Sequence, residues 1–241
     1  MNLRRILFTT QRILQQLRHD PRTIGLLLLV PSALTGLLAW TLSGRPGAFQ
    51  TIGPPLLGVF PLIVMFLVTS VITLRERTVG TLERLFTLPL TKGEFITGYA
   101  LAFALLAILQ SILVATLSYS WYGLVHQGVP WRISLVALCA GLLGTTFGLA
   151  LSAVAHTEFQ AVQFMPAFIL PQLLLCGLFV PVGQLPVALR LVADVLPMTA
   201  AIHAISNSQS TTYYAGQFAI LVGFILGGLG VGAATLRRRT K

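Results

Sequence analysis

Acidic side chains are scarce in this chain, and half of them sit together. Of six, Glu76, Glu83 and Glu94 fall within TLRERTVGTLERLFTLPLTKGEF (Thr73–Phe95), alongside Arg75, Arg77, Arg84 and Lys92. Carboxylates so placed could do acid–base or metal chemistry, but the necessary companions are missing. There is no HExxH, no His/Cys/Asp/Glu cluster at ligand spacing, and no defensible Ser–His–Asp set. The two lysines, Lys92 and Lys241, belong to no GxxxxGK[ST] phosphate-binding loop. His126 has no neighbouring ligand type and reads as a solvated loop residue. Cys139 and Cys176 lie in apolar runs and read as buried thiols. The sequence therefore offers no catalytic residue, no metal ligand and no bound cofactor of its own.

What remains for the charged stretch is recognition. Gly80 permits a turn and Pro89 stops a helix between them. Leu82, Leu85 and Phe86 then share one face at i, i+3, i+4 spacing, rimmed by Glu76, Arg77, Glu83 and Arg84. An apolar knob with charged edges suits a groove on a partner protein. The competing reading is an ordinary solvated loop.

The surrounding elements say where such a knob would stand. The 241 residues are 55% hydrophobic and 9% charged, with mean hydropathy +0.85. Soluble domains carry about 25% charged residues, so a water-soluble fold is excluded. Six apolar runs, 24–42, 55–74, 95–119, 133–155, 161–180 and 217–236, have the length of membrane-spanning helices, about 20 residues each. The alternation of a membrane β-barrel is absent. Thirteen of the 16 basic residues fall on one side of a six-span arrangement, leaving Arg45, Arg132 and Arg190 on the other. Positive residues stay cytoplasmic, so both termini and the charged stretch are expected inside. A seventh span through 185–205 would place RRRTK outside and is rejected. The same distribution argues against nucleic acid as the partner of the +10 net charge.

Residues 1–20 carry an amphipathic helix rather than a secretory signal. Leu3, Ile6, Leu7, Ile13, Leu14 and Leu17 form its apolar stripe, with Phe8 a misfit. Arg4, Arg5 and Arg12 lie on the other face, expected as anchors toward anionic head groups. Asp20 and Pro21 are placed to cap and open the first span, and TKGE at Thr91–Glu94 has the form of a capping box. The region 181–216 is mildly apolar, broken by Pro186 and Pro197, with Arg190 and Asp194 one turn apart. It fits helices that enter the outer leaflet and return.

The six runs contain no Asp, Glu, Lys or Arg. Ion-coupled carriers place ionisable groups inside the membrane, so a secondary transporter is a poor fit. Any uphill work must draw its energy from another polypeptide.

Arg75–Leu101 resembles the signature of ABC-2 type transporter permeases: Glu76, then Gly80, Thr81, Leu82 and Glu83 as GTLE, then Leu85, Pro89 and Glu94. Leu173–Pro197 resembles the same family's fifth-span end and outer re-entrant helices through Gly177, Pro181, Leu185, Pro186 and Pro197. MTAAIHAI (Met198–Ile205) departs from the pattern, lacking the aromatic and downstream arginine. The flavour is that of the drug- and antibiotic-resistance branch, daunorubicin-type exporters. The resemblance implies an all-α polytopic membrane protein: an interfacial helix (1–20), then a six-helix transmembrane domain (21–241) with a coupling loop (75–94) and a re-entrant outer segment (181–216). It implies a dimer, with a second permease copy or paralogue, seated on ABC ATP-binding subunits that hold ATP and Mg, in a bacterial inner membrane. Glu76, Gly80, Thr81, Leu82, Glu83, Leu85, Phe86 and Pro89 would couple to the ATPase. Hydrophobic or amphipathic small molecules are the expected cargo. Alternatives are a lipid- or glycan-exporting permease, or a non-transporting scaffold for an ATPase.

Overall fold

The computed structural model describes the backbone of residues 2–45, 47–78, 91–125 and 129–235. The described residues are almost entirely helical. Helix α1 spans Leu3–Arg18, α2 Pro21–Thr41, α3 Ala48–Thr78, α4 Lys92–Ser120, α5 Pro130–Ser152 and α6 Glu158–Leu175. A 3-10 turn at Val182–Gln184 leads to α7 (Val187–Val195), α8 (Pro197–Ser206) and α9 (Thr211–Thr235).

Helix starts follow local chemistry. Asn2 caps α1 through the Arg4 amide, and Asp20 caps α2 through the Thr23 amide with Pro21 in the first turn. Thr91 and Glu94 form the expected capping box at α4, each side chain accepting from the other's backbone N–H. Thr157 caps α6. Gly177, with φ +89°, adopts the left-handed conformation just past the end of α6, where a Cβ would be strained.

Helices α2, α3, α4, α5 and α9 are each long and apolar enough to cross a membrane. The expected span 161–180 is the shorter helix α6, 18 residues carrying Gln160, Gln163 and Gln172. Its length, about 27 Å at 1.5 Å per residue, still approaches the bilayer core. The chain crosses the body between the start of α6 and the start of α9. α6 starts beside Arg75, at the foot of α3, and the chain reappears at the opposite end, where the Ser208 carbonyl accepts from Arg132 at the start of α5. Between these points α7 and α8 meet at 85°, a bend no straight span shows. The prolines at 186 and 197 immediately precede α7 and open α8.

The centre of the bundle is the α3–α5 pair, its most extensive helix contact. Gly141, Gly144 and Gly148 line the α5 side. A Cβ at Gly144 would run into the Leu62 carbonyl, and one at Gly148 would come within 2.7 Å of the Phe66 carbonyl oxygen. In lipid, where apolar surfaces gain little from avoiding water, such close backbone approach carries helix association. Lipid as solvent also accounts for exposed Leu26, Leu29, Leu170 and Leu174 on outer helix faces. Trp40, Trp121 and Trp131, all largely exposed, cluster by sequence at one end, as interfacial aromatics do.

Candidate coupling site at the interfacial helix

Helix α1 packs against the foot of α4, with smaller contact to α2. Its apolar stripe divides: Ile6, Ile13 and Leu17 are buried against the protein, while Leu3 and Leu7 remain exposed with Phe8. Thr9 and Thr10 join the buried side because α4 presents Gly98 to them. A Cβ there would meet Thr9 Cβ at 2.7 Å, and Thr10 Oγ1 donates to the Gly98 carbonyl at 3.1 Å.

Two carboxylates fasten this helix. Glu94 Oε1 accepts from the Asn2 amide at 2.7 Å, while Oε2 serves the Thr91 amide at 2.9 Å. One side chain thus caps α4 and holds the start of α1, with Arg5 Nη1 3.8 Å from Oε2. About two turns beyond Arg5 along α1, Arg12 turns inward. Its Nη2 donates to Glu76 Oε2 at 3.2 Å and to the Tyr99 hydroxyl at 3.0 Å, and lies 3.1 Å from Glu76 Oε1. Arg12 was expected among the head-group anchors. The correction has a plain cause: Glu76, 6% exposed, is a buried charge, and a buried charge must be paired. Arg4 remains exposed, and Arg5 is half-buried beside Glu94. Arg12 Nε and Glu76 Oε1 make no hydrogen bond, so the pair is tight but incompletely satisfied.

A third pair lies at the same end. Arg75 donates to both oxygens of Glu158, at 2.9 and 3.1 Å, joining the foot of α3 to the start of α6. The hydrogen bond from Arg75 holds the Glu158 carboxyl below the ordinary carboxylate range, against a smaller opposing effect of burial.

Of the expected coupling residues, Glu76 is thus placed, on the last turns of α3. Gly80, Thr81, Leu82, Glu83, Leu85, Phe86 and Pro89 lie outside the described residues. Their flanks are described: Glu76 before them and Glu94 after them are the two residues that hold α1. Gly177, Pro181, Pro186 and Pro197 gather at the other end of the molecule, around α7 and α8. Arg190 and Asp194, one turn apart on α7, make no ion pair with each other. Sequence reasoning missed Asn2, Gly98 and Tyr99. Their partners are 92, 88 and 87 residues away, and no local pattern marks them. Among the described residues no cluster of three His, Cys, Asp or Glu side chains could hold a metal.

Comparison with known proteins identifies the family. The family model described as "ABC-2 type transporter" matches residues 4–210. The probable multidrug ABC transporter permease YbhR of Escherichia coli is 31% identical over 137 residues, 57% of this chain and 37% of that protein. The probable multidrug ABC transporter permease YbhS of the same organism is 27% identical over 166 residues, 66% of this chain and 42% of its own length. The linearmycin resistance permease LnrN of Bacillus subtilis is 25% identical over 168 residues, covering 68% and 43%. The chain thus matches under half the length of each of these relatives. With several apolar spanning helices and a family match over most of its length, this multi-pass membrane protein belongs to the ABC-2 type transporter family.

Proposed function

We propose that the chain is the membrane-spanning permease subunit of an ATP-driven exporter, coupled to a separate ATP-binding subunit through residues 75–94 and helix α1. One observation carries the reading: Arg12–Glu76 and Asn2–Glu94 bind α1 to both flanks of that segment. Any force applied to the segment is delivered to α1, α3 and α4 together. In this reading Leu82, Leu85 and Phe86 fill a groove on the ATPase, with Glu83 at its rim. ATP and Mg belong to that partner, and a second permease copy or paralogue completes the pathway. Both termini face the cytoplasm, and the α7–α8 hairpin lies in the outer leaflet of a bacterial inner membrane.

The cargo we assign is a hydrophobic or amphipathic drug. The names of the multidrug and linearmycin-resistance relatives favour it, and so does a cleft of about 450 Å³ lined by Phe66, Phe147, Leu151, Phe164 and Phe168.

Co-expression with the ATP-binding subunit tests the coupling. An apolar interface anchor is typically worth 2 kcal/mol or more, about 30-fold in affinity. Phe86→Ala is expected to weaken co-purification by that order and to lower export and cargo-stimulated ATP hydrolysis together. Glu83→Lys is expected to lower both activities. Wild-type export by both variants, with the ATPase held normally, would falsify the coupling role.

A further inference from the structure

The end of the molecule opposite α1 holds a cavity of about 610 Å³ between the α7–α8 hairpin and α9. That volume lies within the range of small-ligand sites, about 300–1,000 Å³. Its polar wall includes Arg190, Asp194, Thr199, His203, Tyr213 and Gln217. Three features make it a built site. Among the described residues Arg190 and Asp194, one turn apart on α7, are engaged in no ion pair, so a guanidinium and a carboxylate both line the cavity. Thr199, 2% exposed, has a hydroxyl without a hydrogen-bond partner. His203 is held in place by the Tyr213 hydroxyl, 3.3 Å from Nδ1.

The charges select the ligand class. A simple anion would be drawn to Arg190 and repelled by Asp194; a simple cation would meet the reverse. A zwitterion whose charges match residues about 5–6 Å apart across one helical turn satisfies both. A primary ammonium brings three N–H donors, enough for the Asp194 carboxylate and the unpartnered Thr199 oxygen, whereas a quaternary ammonium brings none. Phosphate oxygens suit the planar donor fork of arginine. Beside the polar pair, α7 leaves Val187, Leu191 and Val195 exposed in an i, i+4, i+8 row, a surface for acyl chains.

We propose that this cavity binds a phosphoethanolamine group, its phosphate at Arg190 and its primary ammonium at Asp194 and Thr199. The group can arrive as the head of phosphatidylethanolamine or as soluble glycerophosphoethanolamine. The proposal stands apart from the transport reading and survives its failure.

Native mass spectrometry of the full chain, delipidated in detergent and offered equal amounts of phosphatidylethanolamine, phosphatidylcholine and phosphatidylglycerol, tests it. Wild type is expected to retain phosphatidylethanolamine about tenfold over the other two, the size of one charge-assisted hydrogen bond. Asp194→Asn should abolish that preference and Thr199→Val should reduce it, whereas Arg190→Gln should lower retention of all three lipids, which share the phosphate, and Arg190→Lys should keep most of it, all with the wild-type melting temperature. Millimolar glycerophosphoethanolamine identifies the source: displacement of the lipid supports the proposal with a soluble ligand, and failure to displace supports it with a membrane lipid. Equal retention of the three lipids by wild type, an intact preference in Asp194→Asn, or undiminished retention of all three in Arg190→Gln overturns it.

Discussion

Among the described residues three ion pairs stand at one end of the molecule, and burial separates them. The side chains of Arg12 and Glu76 are 18% and 7% exposed, those of Arg75 and Glu158 60% and 43%. Removing one partner of a buried pair strands a charge and costs about 3–5 kcal/mol, while replacing both with apolar residues is often neutral. Glu76→Leu alone is therefore expected to lower thermal stability sharply in detergent, and Arg12→Met with Glu76→Leu to recover most of the loss. If the pair also transmits motion, the double variant will melt normally yet fail in cargo-stimulated ATP hydrolysis, which separates coupling from folding. Arg75–Glu158 is bidentate but solvated, worth about 0–1 kcal/mol and weakened by salt. Since the Glu158 carboxyl titrates lower in the folded protein than in the unfolded chain, its contribution is present above the ordinary carboxylate range. It fades as pH falls through the lowered value. The stability difference between wild type and Glu158→Gln should then be small and flat near neutrality and vanish in strong acid, as melting curves across pH would show.

At the scale of elements, close approach decides more than hydrophobicity. Helices α3 and α5 are both apolar along their length, and lipid would accept either face. Gly144 and Gly148 choose the face, because only there can the α3 backbone come near. Gly144→Val forces the helices apart and is expected to cost about 1–3 kcal/mol or more, as overpacking does. Gly223→Val, on α9 with nothing within 4 Å of its would-be Cβ, should leave stability close to wild type. Parallel thermal-shift measurements on the two purified variants check this, and an equal loss in both would refute the packing argument. Arg132 plays a comparable part at the far end. It lies between Trp131 and Tyr214 at 5.4 and 5.2 Å from their ring centroids, and donates to Ser208 and Thr211, so it ties α5 to α9.

For the whole molecule, the thirteen-to-three distribution of basic residues sets an orientation that labelling can test. In a background without Cys139 and Cys176, cysteines at Gly44 and Ser210 should react with an impermeant thiol reagent in intact cells. Cysteines at Thr78 and His156 should react only after the cells are opened. All four positions are exposed, so silence would report topology rather than burial. Labelling of His156 in intact cells would reverse the arrangement.

Hydropathy, charge and capping chemistry are local or additive properties, and the chain carries them openly. From them follow an all-helical membrane protein, the starts of α2 and α4, the amphipathic α1, and the break in the region around Pro186 and Pro197. The GTLE motif carried the family. What no local pattern could supply was which face of each helix meets which neighbour. Arg12 sits on the polar side of α1 by sequence, yet Glu76, 64 residues away, draws it inward. Arg190 and Asp194 have the spacing of a helical ion pair, yet they line a cavity separately. The three α5 glycines read as indifferent in an apolar run until α3 lies against them. In a membrane, burial in lipid is indifferent to helix rotation. Rotation is settled by steric fit and by the few charges that must find partners, and both are properties of the assembled fold.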